Sequence, residues 1–268
     1  MPVIDAGNDH GLQAERLVTA LREAGSVALK FSGSHLRTWT KGKDSPVSEA
    51  DIAVDKLLRE RLTQPGIGWL SEESVDDRAR LSSPRVFIVD PIDGTRAYIA
   101  GKPDWSICAA LVENGRPVAA AVFAPVTGEM FAAVKGRGTT RNGKPVAARD
   151  GHDLRGARIA GPKSFLERLA ASSPGLVPVP KIHSLALRLT RVAQGEIDIA
   201  MASINGRDWD LAAADLLVHE ARGAMTDIAG EPLVYNLHDP VHGALLAAGP
   251  DRHRAMLDLV RSRQREFN

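Results

Sequence analysis

"VFIVDPIDGTRAY", residues 86–98, sets an apolar run against two carboxylates and a sharp turn. Val86–Val89 has the β-branched and aromatic character of a buried strand. Asp90 ends that run, Pro91 turns it, and Asp93 follows three residues on, ahead of Gly94-Thr95. Carboxylates gathered at the edge of a core are costly unless something positive lies between them. A D-x-x-D spacing through a proline turn can aim both carboxylates and the Ile92 carbonyl at one point. Hard divalent cations such as Mg²⁺ ask for oxygen donors of this kind. Asp beside Pro and Gly also stabilises turns, so this motif alone leaves a structural and a metal-binding reading open.

Outward from this stretch the chain changes character. Upstream, Leu17, Leu21, Ala24 and Ala28 recur at helical spacing within Leu12–Phe31. "TWTKGKDSPV" reads as a mobile loop. Ser48 and Asp51 have the S-x-x-D spacing of a capping box that opens a second helix. Downstream, β-like runs at Arg85–Val89, Trp105–Glu113, Pro117–Ala124 and Glu129–Val134 are separated by Asn114-Gly115 and Thr127-Gly128, which predicts antiparallel hairpins.

The polar "AARDGHDLRGA" near residue 150 divides this section from an alternating one. There, strands are predicted at Arg158–Ala160, Val177–Pro180, Ile197–Met201, Ala224–Thr226 and Gly243–Ala248. Helices are predicted at Ser164–Ala171, Leu185–Gln194, Leu211–Ala221 and Asp251–Arg263. The division is an α+β domain over residues 1–150 and an α/β domain over 151–268, with helices and sheets in layers rather than a barrel.

A net charge of +1 gives no global field toward nucleic acid or a membrane. The single cysteine, Cys108, allows no internal disulfide and fits a reducing compartment. No run approaches the roughly 18 apolar residues of a membrane span, and the first residues lack a secretory pattern. A cytoplasmic protein without membrane or nucleic-acid partners is expected.

Two further acidic groups bear on the first. "WLSEES" places Glu72 and Glu73 after another short apolar run, where a solvated loop is the plain alternative. "GRDWDLAAADLL" places Asp208 and Asp210 at a helix start, where either could serve as the N-terminal acid.

"WLSEES", "VDPIDGT" and "WDLAAADLLVHEARGAMTD", in that order, resemble the inositol monophosphatase family of metal-dependent, lithium-sensitive phosphatases. The resemblance covers nearly the whole chain. It implies a layered α-β-α-β-α sandwich of the inositol monophosphatase and fructose-1,6-bisphosphatase type, a homodimer, and two or three Mg²⁺ ions. By the same resemblance, Glu72, Asp90 and the Ile92 carbonyl would hold the first metal, and Asp90, Asp93 and Asp210 the second. Asp51 takes the place of an acid ordering water around a third, weaker metal. Thr95 would help Glu72 or Asp51 orient the attacking water, and the N–H groups of Gly94 and Thr95 would face the phosphate.

The same resemblance implies a small phosphorylated metabolite as substrate. "KGKDSPVSEAD", Lys41–Asp51, is similar to the K-x-D-x-S-P-V-T-x-A-D segment of the CysQ-type 3′(2′),5′-bisphosphate nucleotidases, which convert adenosine 3′,5′-bisphosphate to AMP. "DGTRAY" followed by "GKPDW" resembles the histidinol-phosphatase branch instead, although Trp209 departs from it. Among "KIHSLALRL", Lys181, His183, Ser184 and Arg188 are candidates to meet a second phosphate or a base, with Asp93, Gly94, Thr95 and Asp210 at the scissile one. Inositol 1-phosphate and histidinol phosphate are the alternative substrates. A SuhB-like regulator acting in transcription is the non-enzymatic alternative.

Overall fold

The computed structural model describes residues 6–32, 36–41, 45–172 and 175–262. Helix α1 (Ala6–Phe31) packs along helix α2 (Glu49–Leu62). Between them β1 (Thr38–Lys41) pairs antiparallel with β2 (Ser45–Ser48). This corrects the expectation of a plain loop over "TWTKGKDSPV". Thr, Trp and Val are strand formers, and the pairing leads directly into α2.

A seven-stranded sheet follows, built from β3 (Gly68–Ser71), β4 (Arg85–Asp93), β5 (Ser106–Glu113), β6 (Arg116–Ala124), β7 (Glu129–Val134), β8 (Thr139–Arg141) and β9 (Lys144–Val146), in that spatial order. β3 and β4 are parallel and the remaining pairs antiparallel, with the expected tight turns joining β5 to β6 and β6 to β7. β4 does not stop at Val89. It continues through Pro91 to Asp93 with a register shift between Asp90 and Asp93, because Pro91 has no N–H to give the ladder. The short helix α3 (Thr95–Ile99) begins one residue after the strand ends.

Beyond residue 150 lie β10 (Arg158–Ala160), α4 (Lys163–Ser172), β11 (Val177–Pro178), α5 (Leu185–Ala193), β12 (Ile199–Ala202), β13 (Gly206–Arg207), α6 (Asp208–Glu220), β14 (Ala224–Asp227), β15 (Val241–His242), β16 (Leu245–Ala248) and α7 (Pro250–Arg261). β11, β10, β12, β16 and β14 form a mixed five-stranded sheet in that order. The C-terminal end predicted for the last helix, residue 263, lies outside the described residues.

Alternating side chains on the large sheet feed two cores, which is why its central strands read as continuous apolar runs. Phe87, Val89, Ile107, Ala109 and Leu111 face Leu17, Leu21, Leu58 and Leu62 of α1 and α2. Val86, Ile88, Cys108, Ala110 and Val122 face Leu187, Leu211 and Leu217 of α5 and α6. The latter cluster runs on into Ala200, Ala202, Leu245 and Ala247 of the second sheet. That sheet's far side, through Ile159, Ile199 and Leu246, receives Phe165 and Leu169 of α4 with Met256 and Val260 of α7. The layers are therefore helix, sheet, helix, sheet, helix. Tyr98 and Trp105 both belong to the first core, with rings in an edge-to-face contact at 4.8 Å. No helix among the described residues is long and apolar enough to cross a membrane.

Candidate active site

The C-terminal end of β4, the loop after β3 and the starts of α2, α3, α5 and α6 meet at one place. β4 delivers Asp90 and Asp93, and α6 brings Asp210 from the middle layer. One ligand atom from each of these three acids can be chosen so that all lie within 4.8 Å of one another.

Each acid is held by a different local device. Asp90 Oδ1 accepts the Ile92 N–H at 3.0 Å, while its Oδ2 is buried with no hydrogen-bond partner among the described residues. Asp93 is gripped by the start of α5: Ser184 Oγ–H donates at 2.5 Å, and the Leu185 and Ala186 N–H groups at 3.1 and 2.7 Å. Asp210 occupies the third position of α6 and accepts the Arg207 N–H at 2.8 Å. Asp208, the other candidate, is spent elsewhere. Its two oxygens take the His242 ring at 2.7 Å and the Asn236 N–H at 2.8 Å.

Glu72 stands beside this triad, just past the end of β3. Burial, then the charges of Asp210 and Glu73, push its carboxyl up to about 8. Burial and the Asp93 charge push Asp210 to about 7. Burial raises Asp90 well above the ordinary carboxylate range, and Glu72, Asp93 and Asp210 add to it. Asp93 is raised by burial too, in spite of its three hydrogen bonds. Four acids that resist ionisation together, one of them with an orphaned buried oxygen, form an all-oxygen donor set that fits a hard divalent cation.

Asp51 fulfils its capping-box role: its Oδ2 accepts the Ser48 N–H at 2.9 Å and the Ser48 hydroxyl at 2.5 Å. Its other oxygen faces outward to Thr95, whose hydroxyl lies 3.3 Å from Asp51 Oδ1 and 3.0 Å from the Ile92 carbonyl. Gly94 adopts φ +94°, and an added Cβ would come within 3.1 Å of the Ser184 nitrogen, so glycine is required there. Lys41 of β1 reaches over to the Glu72 carbonyl and to Glu73 Oε2.

A cleft of about 720 Å³ opens from Asp93 and Asp210 toward the second sheet. Lys163, Lys181, His183 and Arg188 line it, together with the apolar Leu166, Val179 and Ile204. Arg188 donates to the Met201 and Ile182 carbonyls, and burial lowers its pKa although the Asp93 charge opposes this. Ser184 does not line the cleft. Its hydroxyl is fully buried between Asp93, the Leu187 N–H and Ser106, so the expected substrate contact there is replaced by a supporting one. Sequence reasoning missed Asp104, whose carboxylate accepts both the His183 N–H and the ring Nδ1 and whose carbonyl accepts the Ser184 N–H. Nothing in "GKPDW" marks it, because the partners lie 79 residues away.

Residues 10–265 match the model of the inositol monophosphatase family. The chain is 32% identical to an inositol-1-monophosphatase ImpA of Mycolicibacterium smegmatis, covering 80% of each protein. It is 34% identical to a histidinol-phosphatase of Mycobacterium tuberculosis over 75% of this chain and 82% of that one. A 3′(2′),5′-bisphosphate nucleotidase CysQ of Haemophilus influenzae is 28% identical over 85% and 88%. Among solved structures, the suhB extragenic suppressor protein of Bartonella henselae superposes with a TM-score of 0.80 at 27% identity, over 91% of this chain and 96% of that one.

Proposed function

This chain belongs to the inositol monophosphatase family of metal-dependent phosphatases, and on that premise we propose that it is a Mg²⁺-dependent phosphomonoester hydrolase acting on a bisphosphate nucleotide, adenosine 3′,5′-bisphosphate foremost. The convergence of Asp90, Asp93 and Asp210, with Asp90 Oδ2 left unpartnered, carries the metal part of this reading. Glu72, Asp90 and the Ile92 carbonyl would hold one ion, and Asp90, Asp93 and Asp210 another. Mg²⁺ there would supply charge neutralisation for the ester dianion and a lowered pKa for the attacking water.

The protein's own groups do the rest. The Thr95 hydroxyl, set between Asp51 and the Ile92 carbonyl, orients the water and lets its proton pass toward Asp51 or Glu72. The N–H groups of Gly94 and Thr95 face the phosphate at the start of α3. Ser184 and the first turn of α5 hold Asp93 in place, and their hydrogen bonds partly offset the cost of burying its charge.

The preference for a second anionic group rests on the cleft wall. Arg188 is a half-buried cation whose hydrogen bonds go to two backbone carbonyls, and Lys163 and Lys181 extend the positive side, with His183 beside them. The cleft has room for a base and a second phosphate, and the "KGKDSPV" segment agrees with the same choice.

The test is phosphate release from adenosine 3′,5′-bisphosphate, inositol 1-phosphate and histidinol phosphate, compared by kcat/KM with Mg²⁺ and with a chelator. Hydrolysis that requires Mg²⁺, prefers the nucleotide and is lost in Asp90→Asn supports the proposal. Preference for either other ester overturns the substrate, and full turnover by Asp90→Asn overturns the metal site. Absence of turnover on all three favours the regulatory alternative.

A further inference from the structure

Helix α2 carries a second buried acid, Asp55, one turn beyond Asp51. It is not one of the converging acids, yet both of its oxygens are taken. Ser71 Oγ–H donates to one at 2.5 Å and Ser74 Oγ–H to the other at 2.8 Å. These two serines bracket Glu72 and Glu73. The Ser71 oxygen also accepts the Glu73 N–H at 3.3 Å, and the Ser74 oxygen accepts the Trp69 indole N–H at 3.3 Å. The loop that presents Glu72 is thus anchored to α2 at both of its ends by one carboxylate.

Glu72 needs such an anchor. Its N–H is tied to the Val89 carbonyl at 3.3 Å, but among the described residues no hydrogen bond reaches its carboxyl. The carboxylates of Asp210, Glu73 and Asp93 stand close enough to repel it. A carboxylate left free would have to be ordered at the moment of binding, at a cost in conformational entropy. A spacing of four residues puts Asp51 and Asp55 on one face of α2, so a single helix fixes both the Thr95 side and the Glu72 side of the site.

We propose that Asp55 is a positioning residue for metal binding, acting through Ser71 and Ser74 to hold Glu72 toward Asp90 and Asp210. The inference rests on the reading of Glu72 as a metal ligand. Loss of an outer hydrogen-bond partner of a ligand typically weakens metal binding or activity by about 10- to 100-fold.

The experiment uses the full chain with the substitutions Asp55→Asn, Ser74→Ala and Glu72→Gln. Mg²⁺ binding without substrate is followed by calorimetry, and the melting temperature of each metal-free variant is recorded. Asp55→Asn should bind Mg²⁺ at least about tenfold more weakly. The Mg²⁺ concentration for half-maximal hydrolysis should move by the same factor, with KM for substrate unchanged at saturating metal. Asp55→Asn combined with Glu72→Gln should bind no more weakly than Glu72→Gln alone, because one acts through the other. A lower melting temperature with unchanged Mg²⁺ affinity would mean a merely structural role and overturn the proposal. If Glu72→Gln itself leaves Mg²⁺ affinity unchanged, the ligand reading has failed; if it weakens binding and Asp55→Asn does not, only the role of Asp55 falls. Should Asp55→Asn fail to fold, Ser74→Ala, which removes one donor and no charge, decides between the same outcomes.

Discussion

Replacing Asp210 by Asn should raise the melting temperature of the metal-free protein while abolishing hydrolysis. The amide oxygen of Asn can still accept the Arg207 N–H that Asp210 takes at 2.8 Å, so the start of α6 stays capped and the change is one of charge. Burial and Asp93 raise Asp210 from 3.8 to about 7, which corresponds to about 4 kcal/mol against the folded state once the group is ionised. The folded state holds this proton more tightly than the unfolded chain does. The penalty is therefore absent below about pH 4, grows up to about pH 7, and is constant above it. Glu72, Asp90 and Asp93 share the same repulsion and relax when one charge leaves, so about half of that figure, roughly 2 kcal/mol, is a working expectation. For a chain of this size that is a rise of about 4–8 °C.

Calorimetric melting of wild type and Asp210→Asn in a chelator, at about pH 5 and about pH 8, reads this directly. The gap should be less than half as large at the lower pH and full at the higher one. Added Mg²⁺ should reverse the order, because the wild type gains binding energy that the variant lacks. A variant that melts at or below the wild type at the higher pH, without metal, would refute the reasoning that these acids are held together against their own repulsion.

Two other substitutions probe the supports of the site. Gly94→Ala puts a Cβ 3.1 Å from the Ser184 nitrogen at φ +94°, which should cost about 1–3 kcal/mol and lower kcat by disturbing the turn that grips Asp93; unchanged melting and unchanged turnover would contradict it. Thr95→Val removes the hydroxyl between Asp51 and Ile92 and should lower kcat by about 100-fold with little change in KM, while Thr95→Ser restores most of it. Equal losses in both variants would show that the methyl group, not the hydroxyl, matters.

The acids on β4 were legible only with "WLSEES" and the "WD" stretch beside them, because D-x-x-D after an apolar run also fits a plain turn, and Asp51 because the capping-box spacing is local. The choice between Asp208 and Asp210 was not. It is settled by His242 and Asn236, which arrive from a segment about 30 residues downstream and occupy Asp208. Ser184 looked like a substrate contact in sequence because "KIHSLALRL" holds basic residues around a serine just before a helix. Here the close approach of Gly94 draws that turn inward onto Asp93. The pairing of residues 38–41 with 45–48 was missed because Gly, Lys and Asp between them in sequence read as a break, while the pairing depends on residues on either side of it. Asp55 carried no signal at all, since an acid four residues along a helix from another is ordinary on an exposed face.

The grip of α5 on Asp93 has a consequence for how this chain can change over time. Asp90 and Asp93 come from the first 150 residues, whereas Ser184, Leu185, Ala186 and Asp210, which complete their surroundings, come from the rest. Neither half carries a whole site on its own. A recombination event that exchanges one half with a homologue must preserve the fit of Gly94 against Ser184, while the cleft wall around Lys181 and Arg188 can vary. Inheritance of the chemistry is tied to the seam between the halves, and diversification is left to the far side of the cleft.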